Sequence, residues 1–254
     1  MAANRRRHRY RTRSVAHVIE EITWAQKAFP DVKEFFFDDD TFTDDLPRAE
    51  AIAKELSKLG VTWSCNAKAN VPYAMLKVLR DNGLRLLLVG YESGNQQILH
   101  NIKKGMRVDV AHRFTKDCHT LGVTIHGTFI MGLPGETKET IRENRYRHQT
   151  AYGPGFARRP LSGHVFVQSG HEEHDAHAEL VNEDSVQIAP LHYPHLSHTE
   201  IFDSVEEFYR RFYFRSGKIA SIVGEMVRSP QMMKRRLREG VEFFQFLRER
   251  HRAA

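Results

Sequence analysis

Glu92 and Ser93, in GYESG (90–94), sit where an apolar run gives way to a loop ahead of a helical pattern. A carboxylate there suits an ammonium group or two ribose hydroxyls. Its competing use is to cap the helix that follows. The next apolar run closes in GTFIMGLPGET (127–137). Gly132 and Gly135 permit close backbone approach, Pro134 stiffens the turn, and Glu136 is placed to orient the loop. FFFDDDTFTDD (35–45) supplies Asp38, Asp39 and Asp40. Three adjacent carboxylates suggest Mg²⁺ or Ca²⁺, but neighbouring strand residues point to opposite faces, so at most two converge. Another run ends in Cys65, Asn66 and Lys68, where Cys65 reads as a small buried apolar residue rather than a nucleophile. Lys103 and Lys104 read as solvated helix-end charges. His171, His174 and His177 in GHEEHDAH have metal-like spacing, but HEEH is not HExxH, and no metal site is assigned.

The elements that must position these residues alternate. A helix over 14–28 is capped by Ser14 and carries Val15, Val18, Ile19 and Ile22 on one stripe. Strands are predicted over 32–39, 61–68, 84–92 and 123–133. Helices fall over 47–59, 72–82, near 95–103 and over 107–121, with Gly60, Gly83 and Gly122 at their ends. Four rounds of strand and helix predict an α/β fold of parallel strands with right-handed crossovers. Polar and Gly-rich residues at the carboxyl ends of strands mark where the site of a βα barrel collects, although four units are too few to close one. From about Arg142 to Ala178 helix and strand periodicity stops. From about Ser204 amphipathic, arginine-rich helical patterns return, with Pro230 between the last two.

At 254 residues the chain holds one large α/β domain or two small ones. No apolar run approaches the roughly 18–20 residues of a membrane span, and MAANRRRHRYRTR has no signal-peptide core. Two cysteines form no disulfide framework and suggest a reducing cytoplasm. A net charge of +6 and a pI near 9.3 allow an anionic partner. The basic residues are mostly arginines at both ends with no RNA-binding signature, so nucleic acid is not the expected partner.

Residues 8–141 and about 179–250 resemble a hopanoid-biosynthesis-associated radical S-adenosylmethionine (SAM) protein of the cobalamin-binding class. The matching stretches are HRYRTRSVAHVIEEI, FFFDDDTFTDD, WSCNAKANV, GYESGNQQIL, GTFIMGLPGET and SVQIAPLHYPHLSHTEIFDSVEEFYRRFYF. The resemblance implies a partial, TIM-like radical SAM barrel over 1–141, an irregular segment over 142–178 and a C-terminal helical region over 179–254. It implies SAM and a [4Fe–4S] cluster as cofactors, with cobalamin on a further N-terminal domain, and a hopanoid lipid as substrate. Reductive cleavage of SAM to a 5′-deoxyadenosyl radical, which abstracts hydrogen from the lipid side chain, is the implied reaction. Glu92 and Ser93 would contact SAM, Gly132, Leu133 and Pro134 would lie near the adenine with Glu136 orienting them, and Asp40 and Lys68 would form the pocket floor. A cytoplasmic place is implied, with peripheral contact at the inner membrane face left open.

The family holds its cluster on CxxxCxxC, whereas this chain has only Cys65 and Cys118. The cluster loop, the first barrel strand and the cobalamin domain are therefore expected to be missing here, and the chain to be inactive. No residue is assigned a catalytic role. Back-translated and read from the second codon base, residues 155–170 permit VSLAAPYPGTFLY, and family members carry a PYPGTFLY-like segment at this point. MAANRRR likewise permits WPQTVGG, a run that follows the last cluster cysteine in the family. Residues from about 142 to 178 are thus expected to be out of frame and poorly packed. The alternatives are a non-catalytic module binding SAM or anions, and a basic nucleic-acid binder.

Overall fold

The computed structural model describes residues 12–143, 162–167, 196–214 and 216–228, with further residues between 233 and 241. Helix α1 (Val15–Ala28) starts where Ser14 accepts the His17 N–H, and buries Val18 and Ile22. Then follow β1 (Glu34–Phe37), α2 (Leu46–Lys58), β2 (Thr62–Ala67), α3 (Tyr73–Asp81), β3 (Leu84–Glu92), α4 (Gln96–Asn101), α5 (Val108–Leu121) and β4 (Thr124–Met131). A helical turn, α6 (138–143), comes next. Each predicted strand and helix up to 133 is present, with its ends within two residues of those expected.

The strands pair in parallel in sequence order, β1-β2-β3-β4-β5. Sequence order without reversal is the winding of a βα barrel and differs from a doubly wound sheet, whose order reverses at a switch point. The result is an α/β fold with a parallel sheet that forms an open part of a barrel. One face is packed by helices. Leu87, Val89, Tyr91, Ile125, Phe129 and Met131 alternate onto that face and are buried. The opposite face carries Leu86, Leu88, Gly90, Glu92, Thr124, His126 and Thr128, all only partly covered. This period of two decides which residues can meet a ligand.

The core is continuous between sheet and helices. Trp63 is fully buried against Phe37 and Phe42, with ring centroids 5.8 and 5.4 Å away, and its indole N–H donates to the Asn82 carbonyl at 2.8 Å. Ile52, Leu56, Leu76, Leu79 and Leu87 are wholly inaccessible, and each such side chain contributes about 1.5–3 kcal/mol by leaving water. At the amino ends of the strands, Arg85 grips Glu34 through two hydrogen bonds of 2.7 and 2.8 Å, and Ser64 donates to the same carboxylate. Burial alone would raise the Glu34 carboxyl. The Arg85 and Ser64 hydrogen bonds and the Arg85 charge outweigh it and hold the group below its ordinary value.

Two findings differ from the sequence reading. Strand β5 (Ser162–Val167) lies parallel to β4 inside the stretch that has no periodicity. Strand pairing is a main-chain interaction, so an edge position tolerates a sequence with no apolar alternation. Helix α7 (His198–Tyr213) begins six residues before the expected start, at a capping box in which Ser197 and Glu200 bond each other's backbone N–H. It belongs to the same core. Ile201, Val205 and Phe208 are buried, and Phe208 meets Phe129 of β4 at 5.7 Å. Helix α8 (Ser216–Arg228) follows. The histidine cluster at 171–177, the basic arm at 1–11 and most of 142–178 lie outside the described residues.

Candidate functional site

A cleft of about 650 Å³ opens at the carboxyl ends of β1 to β4. Asp40, Asn66, Lys68, Gly90, Glu92, Lys104, Arg107 and Thr128 contribute to its wall. Its volume falls within the roughly 300–1,000 Å³ of small-molecule sites. Of the residues expected from sequence, Asp40, Lys68 and Glu92 come together here. Lys68 reaches Asp44 at 2.5 Å. Asn66 ties the ends of β1 and β2, donating to the Asp39 carbonyl at 2.9 Å. Asp38, Asp39 and Asp40 are exposed, and among the described residues no group of three or more His, Cys, Asp or Glu is arranged to hold a metal.

Glu92 is the most constrained of these. The β3–β4 register breaks between Gly90 and Glu92, and Glu92 has φ 59°. That left-handed conformation costs a non-glycine residue of order 1 kcal/mol and persists only where the surroundings enforce it. It folds the carboxylate back over Gly90, where a Cβ would lie 2.5 Å from Glu92 Oε1 and 3.2 Å from Lys104 Nζ. Lys104 Nζ donates to Glu92 Oε1 at 2.6 Å, with the two side chains 33% and 16% exposed. Glu92 does not cap α4. Asn95 does, accepting the Gln97 and Ile98 N–H groups at 2.9 and 3.1 Å.

Lys104 is therefore a wall residue of the cleft and not a solvated helix end. Its loop is built to deliver it. Lys103 takes φ 54° and Gly105 φ 68° on either side. Gln96 clamps the loop by donating to the Met106 carbonyl at 3.1 Å and accepting from the Val108 N–H at 3.0 Å. The KKG pattern and the nearby glutamine were visible in the sequence, but the reversal that points Lys104 back at Glu92 was not. Arg107, also unforeseen, reaches Asp109 through two bonds of 3.0 and 2.9 Å.

Ser93 is 2% exposed, is not part of this cleft wall, and its Oγ accepts the Asn95 N–H at 3.2 Å, which shapes the loop. The GLPGET turn also stands apart from this wall. Gly132 and Gly135 have φ 82° and 81°. Glu136 is wholly buried, and its Oε2 accepts the N–H groups of Gly132 and Leu133 at 2.7 and 3.0 Å. Leu133 is buried, while Pro134 presents its carbonyl to Asn101 at 3.1 Å. Glu136 orients the turn, as its place in the sequence suggests.

Sequential parallel winding with a cleft at the carboxyl strand ends defines an open βα barrel whose cleft is of small-molecule size. The model of the Radical SAM superfamily matches residues 2–145, and the chain belongs to that superfamily. Its relatives include cytidylyl-2-hydroxyethylphosphonate methyltransferase of Streptomyces wedmorensis, 27% identical over 58% of this chain and 29% of that protein. An uncharacterized methyltransferase of Pyrococcus horikoshii is 31% identical over 52% and 29% respectively. Among solved structures, the radical SAM methyltransferase TsrM of Kitasatospora setae, with cobalamin and a [4Fe-4S] cluster bound, aligns with a TM-score of 0.54 at 17% identity. It covers 63% of this chain and 32% of that one. The chain thus spans under a third of the length of these relatives.

The thiols of this chain do not fit a cluster. Cys65 on β2 and Cys118 on α5 are both fully inaccessible core residues. Burial pushes both thiols well above their ordinary range, so neither offers a thiolate.

Proposed function

We propose that this chain supplies the SAM-holding strand ends of a radical SAM enzyme and, by itself, binds SAM without cleaving it. The observation that carries the reading is Glu92, kept in a left-handed conformation over Gly90 at the wall of the cleft. Backbone strain of this kind survives where a function needs it. Glu92 binds the ligand, Asp40 and Lys68 form the floor, and the turn from Gly132 to Pro134, oriented by Glu136, receives the adenine. SAM supplies the reactive group when the complete enzyme acts. The part played by these residues is to bind it, orient it and exclude water. Cleavage requires a cluster on three thiolates, and the two cysteines of this chain are both buried in the core.

For the whole protein the proposed reaction is hydrogen abstraction from a hopanoid side chain, supported by the flanking motifs at both ends of the chain. Methyl transfer is the second reading, favoured by the names of two relatives. Transfer of labelled methyl from SAM to lipid separates them.

Calorimetry with SAM tests the site. Saturable binding that is lost in Glu92→Ala is expected, and binding indifferent to that substitution overturns it. Anaerobic supply of iron and sulfide should give no visible cluster chromophore, and a stoichiometric cluster refutes the inactive reading.

A further inference from the structure

We infer that α8 and the helical residues between 233 and 241 form a docking surface for an anionic lipid bilayer, lying along it and not across it. Two adjacent helices carry apolar rows and use them differently. On α7, Ile201, Val205 and Phe208 fall at i, i+4 and i+7 and are buried in the core. On α8, Ile219, Val223 and Val227 fall at i, i+4 and i+8 and are 43%, 50% and 83% exposed. None of these three belongs to the core cluster of the described residues. Ile222 and Met226, half-covered, widen the same face. A continuous apolar face turned to water marks a contact surface, whereas single exposed apolar residues mean little.

The pattern repeats beyond Pro230. Met233, Leu237 and Val241 again fall at i, i+4 and i+8 and are 43%, 55% and 56% exposed. At about 100° per residue, Arg236 stands on one side of this row and Lys234 and Arg238 on the other. Long basic side chains beside an apolar row lay their stems on it and hold their charges at headgroup level.

The charge selects the occupant. Residues 216–241 carry six Lys or Arg and two Glu. That excess attracts an anionic surface and opposes the approach of a second copy of the same face. Among the described residues no helix is long and apolar enough to cross a membrane. Each row spans about 12 Å, which suits a helix lying in the interface plane. Contact of this kind is independent of what fills the cleft.

Co-sedimentation of the full chain with lipid vesicles tests this. Binding to phosphatidylcholine vesicles containing phosphatidylglycerol is expected, weakening as salt rises, with far less to phosphatidylcholine alone. Lys234→Gln, Arg236→Gln and Arg238→Gln together should weaken it about a hundredfold, at about fivefold per charge. Val227→Ser and Leu237→Ser leave the charge unchanged and should each weaken it about tenfold, with the thermal midpoint retained. Absence of binding to the anionic vesicles overturns the inference, as does equal binding to both kinds. Binding indifferent to both serine substitutions overturns it too, because charge alone would then hold the chain. A chain that is dimeric without vesicles and monomeric as Val227→Ser assigns the row to a second copy and overturns it likewise.

Discussion

Two glutamates close neighbouring strands of the same sheet, and the molecule uses them in opposite ways. Glu136 ends the β4 turn wholly buried, with its carboxylate on two backbone N–H groups of its own loop. Glu92 ends β3 in a strained conformation, with its carboxylate at a cleft and a lysine as partner. One holds its own turn, and the other is strained at the wall of a cleft. A Gly-rich strand end with an acid is therefore not by itself a binding residue. What separates the two is where the acceptor oxygens are used.

Removing each acid is the strongest way to break the comparison. Glu136→Ala leaves the Gly132 and Leu133 N–H groups buried without partners and should cost about 3 kcal/mol or more; urea unfolding measures it. Glu92→Ala should stay within about 1 kcal/mol of the parent yet lose SAM binding. Similar stability losses at both positions would erase the distinction.

The glycines sharpen it next. Gly135→Ala places a Cβ 2.6 Å from Asn101 Nδ2 at φ 81° and should cost about 1–2 kcal/mol. Gly90→Ala meets the movable end of Glu92, so stability should change little while ligand affinity falls. Smaller still, Glu92→Gly relieves the left-handed strain and should raise stability by about 1 kcal/mol while abolishing binding. Stability that falls in this variant would mean that the conformation at 92 carries no strain.

The smallest effect lies at the other end of the strands. The depressed Glu34 carboxyl contributes stability that is fully present above its unfolded value and is lost as pH falls through its lower folded value. Arg85→Met should reduce stability at neutral pH and flatten its fall through the acidic range. Unfolding at neutral and acidic pH checks this, and parallel curves for the two proteins would remove Glu34 from the account.

The strands and helices up to 133 were legible because apolar residues repeat at two clear periods and helix ends carry Ser14, Gly60, Gly83 and Gly122. The start of α7 was legible too, in the SHTE capping box, but the apolar stripe taken alone begins later. Strand β5 was not, since the hydrogen bonds that hold it to β4 are made by backbone, which has no signature in side-chain type. That Asp40, Lys68 and Glu92 line one cleft follows from their places at strand ends. The burial of Ser93 against its own loop was not legible, because a serine next to a glutamate looks the same whether it faces a cleft or its own loop. Lys104 was missed because it is brought twelve positions back along the chain only by two left-handed residues.

The sequence alone determined the α/β class, the parallel alternation, the superfamily motifs and the absence of CxxxCxxC, since each depends on residue type and short-range spacing. Only the tertiary structure decided which acid lines the cleft and which holds a turn. Adjacent residues at a strand end differ by a rotation about the backbone, and that rotation is set by packing across β3, β4, α4 and α7.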